Sequence, residues 1–363
     1  MLALAYDHGD ARSVISAYRL GSDRFFDLQP LYAGVMGYLY PPAFAVATEP
    51  FWLLGVPFDG MAWRVVGYAV LTYAIVRQAT RLETPNRLWM ISTALFFAIP
   101  VCAAAFRNGQ STILLAGACW LAVAGAMEGR PWRVAGWAAV ALLAKPTALV
   151  LLLLICALRP RMILPVVGAL LFVVALPFAF APTDYVLEQT LAFGRLFTAM
   201  STETAAAFVP SDFTAVLKVI GLPIGDGAAM LVRMVAAVAT LAAVLAIAAK
   251  RRDAVGVLAI VTVGAFYTCL FNPRVECNTY AMFAPPASLA IAWMLSRHGL
   301  FSAAIIPALI LSLGGLQGIH PIIQEIGRFW LAPTVSTIVM GILAWWYVSR
   351  RAHEGGRLTG AAA

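Results

Sequence analysis

Long apolar stretches alternate with short polar turns along most of the chain, at about residues 61–79, 88–106, 111–127, 134–144, 146–158, 162–182, 226–249, 254–271, 279–296, 301–317 and 331–348. Continuous apolar runs of this length predict helices whose solvent is lipid. The expected fold is an all-α polytopic membrane protein with about 10–12 transmembrane segments. One run is interrupted: Lys145 and Pro146 sit near the middle of the stretch from Trp132 to Leu158. A lysine at bilayer depth costs roughly 2.5–3.5 kcal/mol on insertion scales, and the proline breaks the helical ladder beside it. Arg130, Arg133, Arg159 and Arg161 flank the run, so both of its ends are expected to face the cytoplasm. The stretch should then enter and return as two short helices, with Lys145 at the turn on the far face.

Charge fixes the orientation of the rest. With residues 77–87 inside, the inside turns carry Arg77, Arg81 and Arg87; Arg130 and Arg133; Arg159 and Arg161; Lys250, Arg251 and Arg252; Arg297; and Arg350, Arg351 and Arg357. These are 14 of the 25 Lys and Arg, whereas only Glu83, Glu128, Asp253 and Glu354 of the 17 acids lie inside. Residues 349–363 become a cytoplasmic tail, and residues 6–58 and 183–225 two extracytoplasmic loops in a single membrane domain. Within the first loop, residues 41–58 are apolar yet flanked by outside turns. Pro41, Pro42, Glu49 and Pro50 argue for a re-entrant or interfacial helix there, against the alternative of an ordinary span. In the second loop, Tyr185–Met200 reads as an amphipathic interfacial helix. Met1 to Ala5 is too short for a signal peptide or a span, and charged residues follow at once, so a first transmembrane helix is expected to be missing.

Composition narrows the classes. With 62% hydrophobic and 12% charged residues, the chain has no room for a usual soluble domain. Its mean hydropathy of +0.86 agrees. The net charge of +8 follows from the positive-inside bias, so no nucleic-acid partner is expected. The five cysteines are scattered in neither a disulfide nor a zinc pattern, and Cys277 reads as a small polar residue of an outer turn. No metal set is expected.

The candidates for chemistry fall on the outer face. Asp10 in the first loop can take a proton from a sugar hydroxyl; the competing reading is a solvated loop acid beside Asp7 and His8. Tyr38-Leu39-Tyr40-Pro41-Pro42 offers aromatics that suit either sugar stacking or interface anchoring. Arg107-Asn108-Gly109-Gln110 is a tight turn whose arginine can fork onto a phosphate, next to a helix N-terminus at Ser111. Lys145 needs a partner for its burial, either an anionic ligand or a structural ion pair. Asn272, Arg274, Glu276, Asn278 and Tyr280 form the densest polar turn of the C-terminal half, and His320 a weaker one.

Taken together, these residues resemble polytopic glycosyltransferases of the GT-C fold, most closely family 87, the polyprenyl-phosphate-mannose-dependent mannosyltransferase-like proteins. The resemblance rests on Gly9-Asp10-Ala11 with Pro30-Leu31-Tyr32 and Tyr38-Leu39-Tyr40-Pro41-Pro42-Ala43-Phe44, on Gly109-Gln110, and on Ala135-Gly136 through Ala144-Lys145-Pro146. The 272–280 turn looks like a variant of the family's late motif, with Glu276-Cys277-Asn278 where many members place a histidine. The resemblance implies a GT-C-like bundle in the plasma (inner) membrane, with its site on the extracytoplasmic face. It implies Asp10 as general base and Gln110 and Lys145 at the lipid-phosphate region; Arg107, from the reading of its own turn, is expected to hold the donor phosphate with Lys145. Tyr40, Asn272, Arg274, Glu276, Asn278 and Tyr280 are substrate-binding candidates. The polyprenyl-phosphate sugar is the donor, so no separate cofactor is expected. The acceptor is a glycolipid or glycan, and membrane lipids are partners. Rival readings are a transporter or lipid flippase with Lys145, Glu49 and Glu276 along its pathway, and a non-catalytic member of the family.

Overall fold

A computed structural model of the protein describes residues 13–33, 38–202, 210–273, 275–299, 302–316 and 321–360. Asp10, Arg274 and His320 therefore lie outside the described residues. Two short helices come first, α1 (Ile15–Phe26) and α2 (Pro42–Trp52). The bundle continues as α3 (Phe58–Ala79), α4 (Arg87–Arg107), α5 (Thr112–Met127), α6 (Pro131–Ala144), α7 (Ala148–Leu158) and α8 (Ile163–Ala175). The second polar excursion folds as α9 (Thr183–Thr202) and α10 (Phe213–Val219). Then follow α11 (Asp226–Lys250), α12 (Ala254–Leu270), α13 (Ala284–His298), α14 (Ile305–Leu313), α15 (Pro321–Gly327) and α16 (Leu331–Gly360). Tight 3-10 turns flank α8 at Pro160–Met162 and Leu176–Ala179, and another precedes α13 at Cys277–Met282. Among the described residues there is no strand.

Every apolar stretch read from the sequence is a helix, but fewer of them have the length of a full span. Among the described residues, three helices are long and apolar enough to cross a membrane: Arg87–Arg107, Pro160–Ala179 and Asp226–Lys250. Thr112–Met127, Ala148–Leu158, Ala254–Leu270 and Leu331–Tyr347 are shorter apolar helices. Among the described residues of the segment expected over 301–317, the α-helix is the 9 residues of α14. The expected polar tail beyond residue 348 continues the α16 helix to Gly360. α2 is 11 residues long, about 16 Å, well short of a bilayer core of about 30 Å.

Two helices show how burial divides the bundle. α5 buries all of its residues except Leu114 and Met127, because α3, α6 and the 277–282 turn close around it. α11 buries only Ala229 and Val244 along 25 residues. Between its ends its one charge is Arg233, which pairs with Asp212 at 2.6 Å, and an otherwise apolar surface left bare by protein has lipid as its neighbour.

The turns gather at two ends. At one, the Glu128 carboxylate accepts from Arg77 at 2.5 and 2.6 Å, from Arg133 at 2.9 Å, and from Arg81. Gln78 Nε2 donates to the Ala254 carbonyl and Trp293 Nε1 to the Glu83 carbonyl, which binds α12 and α13 to this basic end. Burial pushes the Glu128 carboxyl up, but hydrogen bonds from Arg77 and Arg81 outweigh it and hold the group below its usual value. Its contribution is then present above the unfolded-state value and lost as pH falls through the lower folded one. Glu128→Gln is expected to lower the thermal midpoint in detergent at neutral pH by about 2–4 °C, a partly exposed network being worth ~1 kcal/mol. Midpoints of parent and variant should converge only as pH falls below that lowered folded value, and a gap unchanged down to the acid limit of folding would contradict the assignment.

The opposite end holds a second core, separate from the bundle's. Ile15, Tyr18 and Phe25 of α1 pack with Tyr40, Phe44 and Trp63. The burial of Ile15, Tyr18, Ser22 and Phe25 follows a helical period and makes α1 amphipathic.

Candidate functional site

Pro146 forbids helical geometry to the residue before it, so Lys145 is extended (φ −165°, ψ 137°) and α6 stops there. Ala148 N–H donates to the Lys145 carbonyl at 3.0 Å, and α7 starts in a new direction. The expected pair of short helices is therefore present. The half-buried Lys145 side chain sends Nζ to Thr112 Oγ1 at 3.4 Å, in the first turn of α5. Among the described residues Lys145 forms no ion pair, so the structural-pair reading finds no carboxylate there.

The α4–α5 turn begins one residue from this contact. Gly109 takes φ +68°, which a side chain would resist. Its N–H donates to the Phe106 carbonyl at 3.1 Å and that of Gln110 to Ala105 at 2.9 Å, a Schellman closure of α4. Arg107 and Gln110 are half-buried on this turn. Ser111 Oγ donates to Tyr40 OH at 3.2 Å, and the hydroxyls of Tyr40 and Tyr18 are 2.7 Å apart. Tyr40 stacks on Phe44 with centroids 4.3 Å apart. Thus Lys145, the Gly109-Gln110 turn and the Tyr40 motif, far apart in the chain, meet at one end of α5.

Tyr40 meets that end as a buried residue, 6% exposed, with its hydroxyl shared between Tyr18 and Ser111. Tyr280 is enclosed entirely; its hydroxyl donates to the Ser211 carbonyl at 2.8 Å, and Ser211 N–H returns to the Val275 carbonyl at 2.7 Å. As placed, both tyrosines hold turns together instead of offering a free hydroxyl. Glu276 is exposed and caps the 277–282 turn together with Thr279. Asn278 is 8% exposed and Asn272 half-buried. This turn packs against α4 and α5, which brings it to the same end of the bundle. Burial raises the Cys277 thiol above its ordinary value, with the Glu276 charge adding to it, so a thiolate nucleophile is disfavoured.

Several residues at this end carry no sequence motif. Buried Arg64 donates to the carbonyls of Phe106 at 3.1 Å, Arg107 at 2.9 Å and Gly60 at 3.0 Å, and to Ser13 Oγ at 3.1 Å. Trp63 Nε1 donates to the Gly109 carbonyl at 2.8 Å. Asp59, 1% exposed, pairs with Arg19 of α1 at 2.5 Å. Their one signal is two charges in the first turns of an apolar helix, where burial obliges each to find partners. Glu49 is likewise satisfied, by Ser22 Oγ at 2.6 Å. Burial and then the Glu49 charge push the nearby Asp23 carboxyl up, against the lowering effect of Arg19.

Among families of known proteins, the model of glycosyltransferase family 87 matches residues 38–273. No curated protein and no solved structure matches the chain.

Proposed function

The chain belongs to glycosyltransferase family 87, and on that premise we propose that it moves one hexose, mannose, from a polyprenyl phosphate to a glycan or glycolipid acceptor. The reaction is assigned to the extracytoplasmic face of the plasma (inner) membrane, the face opposite the Glu128 arginine cluster by the positive-inside rule. The observation that carries this reading is Lys145. Its Nζ has one hydroxyl partner and no carboxylate among the described residues, at the end of the bundle that also holds the Gly109-Gln110 turn. A cation so placed suits a lipid-linked phosphate whose charge grows as the sugar–oxygen bond breaks. Arg107 and Gln110 take the same phosphate region.

Asp10 acts as the general base. It lies outside the described residues, three positions before Ser13, whose Oγ donates to the Asn108 carbonyl at 3.1 Å. The acceptor hydroxyl loses its proton to the carboxylate and attacks the anomeric carbon. The polyprenyl phosphate departs from the opposite side, and a single displacement inverts the centre. The exposed Glu276 and the neighbouring Asn272, Arg274 and Asn278 are assigned to acceptor binding; the buried hydroxyls of Tyr40 and Tyr280 support the turns that carry the site.

The test is full-length protein in vesicles, fed polyprenyl-phosphate mannose and a membrane glycan extract. Transfer by the parent is expected, and Asp10→Asn should lower it at least about 100-fold. Normal transfer by Asp10→Asn would defeat the base assignment. Transport of substrate across the vesicle without transfer would favour the carrier reading instead.

A further inference from the structure

We infer that Arg64 is a positioning residue that locks the first loop onto the α4–α5 turn, holding the two parts of the proposed site in register. The inference rests on that reading of the site. Arg64 is 5% exposed, so it is placed to act on neighbouring protein and not on substrate. Its guanidinium takes the Phe106 and Arg107 carbonyls at the end of α4, and the same group reaches Ser13 Oγ. Ser13 passes the connection on, donating to the Asn108 carbonyl, which also accepts from Val14 N–H at 2.9 Å.

Capping a helix end accounts for the first two bonds. It does not account for the third, because closing α4 needs nothing from the first loop. On the same stretch of α3, Asp59 holds Arg19 and Trp63 holds Gly109, so one buried helix start grips both α1 and the turn. Arginine suits this role because its rigid planar fork addresses several acceptors at fixed angles, which a lysine ammonium cannot reproduce. The consequence for chemistry is register: the first loop, at Ser13 and Val14, stays fixed on the turn that carries Arg107 and Gln110.

Two readouts on the full-length protein in vesicles test this. The first is disulfide trapping between Val14→Cys and Asn108→Cys, whose backbones already touch; the second is steady-state transfer from polyprenyl-phosphate mannose. With Arg64→Gln, trapping should slow markedly, and kcat should fall by about 100-fold, the scale of a misplaced reacting group. The donor KM should change less than kcat does, because Lys145 comes from the α6–α7 break, to which Arg64 makes no bond. Ser13→Ala, which removes the bridge together with the bond that Ile15 N–H donates to Ser13 Oγ at 3.1 Å, should lower kcat in the same direction with only a small drop in thermal midpoint. Arg64→Lys should recover stability ahead of kcat. The inference is overturned if Arg64→Gln and Ser13→Ala leave trapping and kcat at parental values, whatever they do to the midpoint. Absence of transfer in the parent would sink the proposed function, while trapping would still decide whether Arg64 sets the register.

Discussion

Lys145→Met is expected to lower sugar transfer at least about 100-fold, the scale seen when one preorganised electrostatic contact to a transition state is removed, without lowering the thermal midpoint. The two halves of that result come from one fact. The half-buried ammonium carries a desolvation cost, and here it recovers only a 3.4 Å contact with Thr112 Oγ1 among the described residues. A methionine of similar length fills the same space at the α6–α7 break without that cost, so the protein should be as stable or more so. Activity should fall because the contact strengthens as charge develops on the departing phosphate, which affects kcat more than donor KM. The measurement is transfer rate and thermal midpoint on the same preparation. A large drop in midpoint with normal transfer would make Lys145 a structural residue and remove the observation on which the proposed function stands.

Lys145 is legible in the sequence because it breaks two rules at once, a charge and a proline in an apolar run. The spans are legible for the same reason in reverse: no charge interrupts Thr112–Met127, and Asp226–Lys250 holds one charge, Arg233, between its ends. What could not be read was which of them meets lipid. α5 and the stretch of α11 after Arg233 are both apolar, yet one is enclosed by helices and the other is almost bare, since hydropathy does not distinguish a protein neighbour from a lipid one. By sequence α1 falls within the first extracytoplasmic loop, although Ile15, Tyr18 and Phe25 recur on one helical face. At the site, Gly109-Gln110 and Lys145 were found through motifs. Arg64 and Asp59 were not, because their importance lies in the partners they reach across the fold, and spacing along the chain does not encode those partners. Tyr280 shows the opposite error: a polar residue in a polar turn reads as accessible, while its hydroxyl is consumed by the Ser211 carbonyl.

Gly117→Leu is expected to prevent the bundle from forming, and Gly117→Ala to destabilise it by about 1–3 kcal/mol, the usual range for overpacking. Gly117 lies midway along α5, where α3 crosses closest. A β-carbon there would stand 2.8 Å from the Leu71 backbone nitrogen and 2.9 Å from Leu71 Cα and the Val70 carbonyl carbon. These are backbone atoms, so no rotamer change relieves the clash; α3 and α5 must separate. In a membrane, helix association depends on this close packing of small residues, because lipid offers no hydrophobic drive to replace it. Separation would also carry Ser111 and Thr112 away from Trp63 and Arg64, so the Lys145 contact and the α4–α5 turn would lose their common frame. Gly168 on α8 supplies the control: a β-carbon there meets nothing within 4 Å. Gly168→Ala should raise the midpoint slightly through helix propensity, worth up to about 1 kcal/mol. Expression in membranes and thermal unfolding in detergent measure both variants. A monodisperse Gly117→Leu protein with the parental midpoint would show that α3 and α5 do not approach this closely, and the shared frame of the site would fall with that contact.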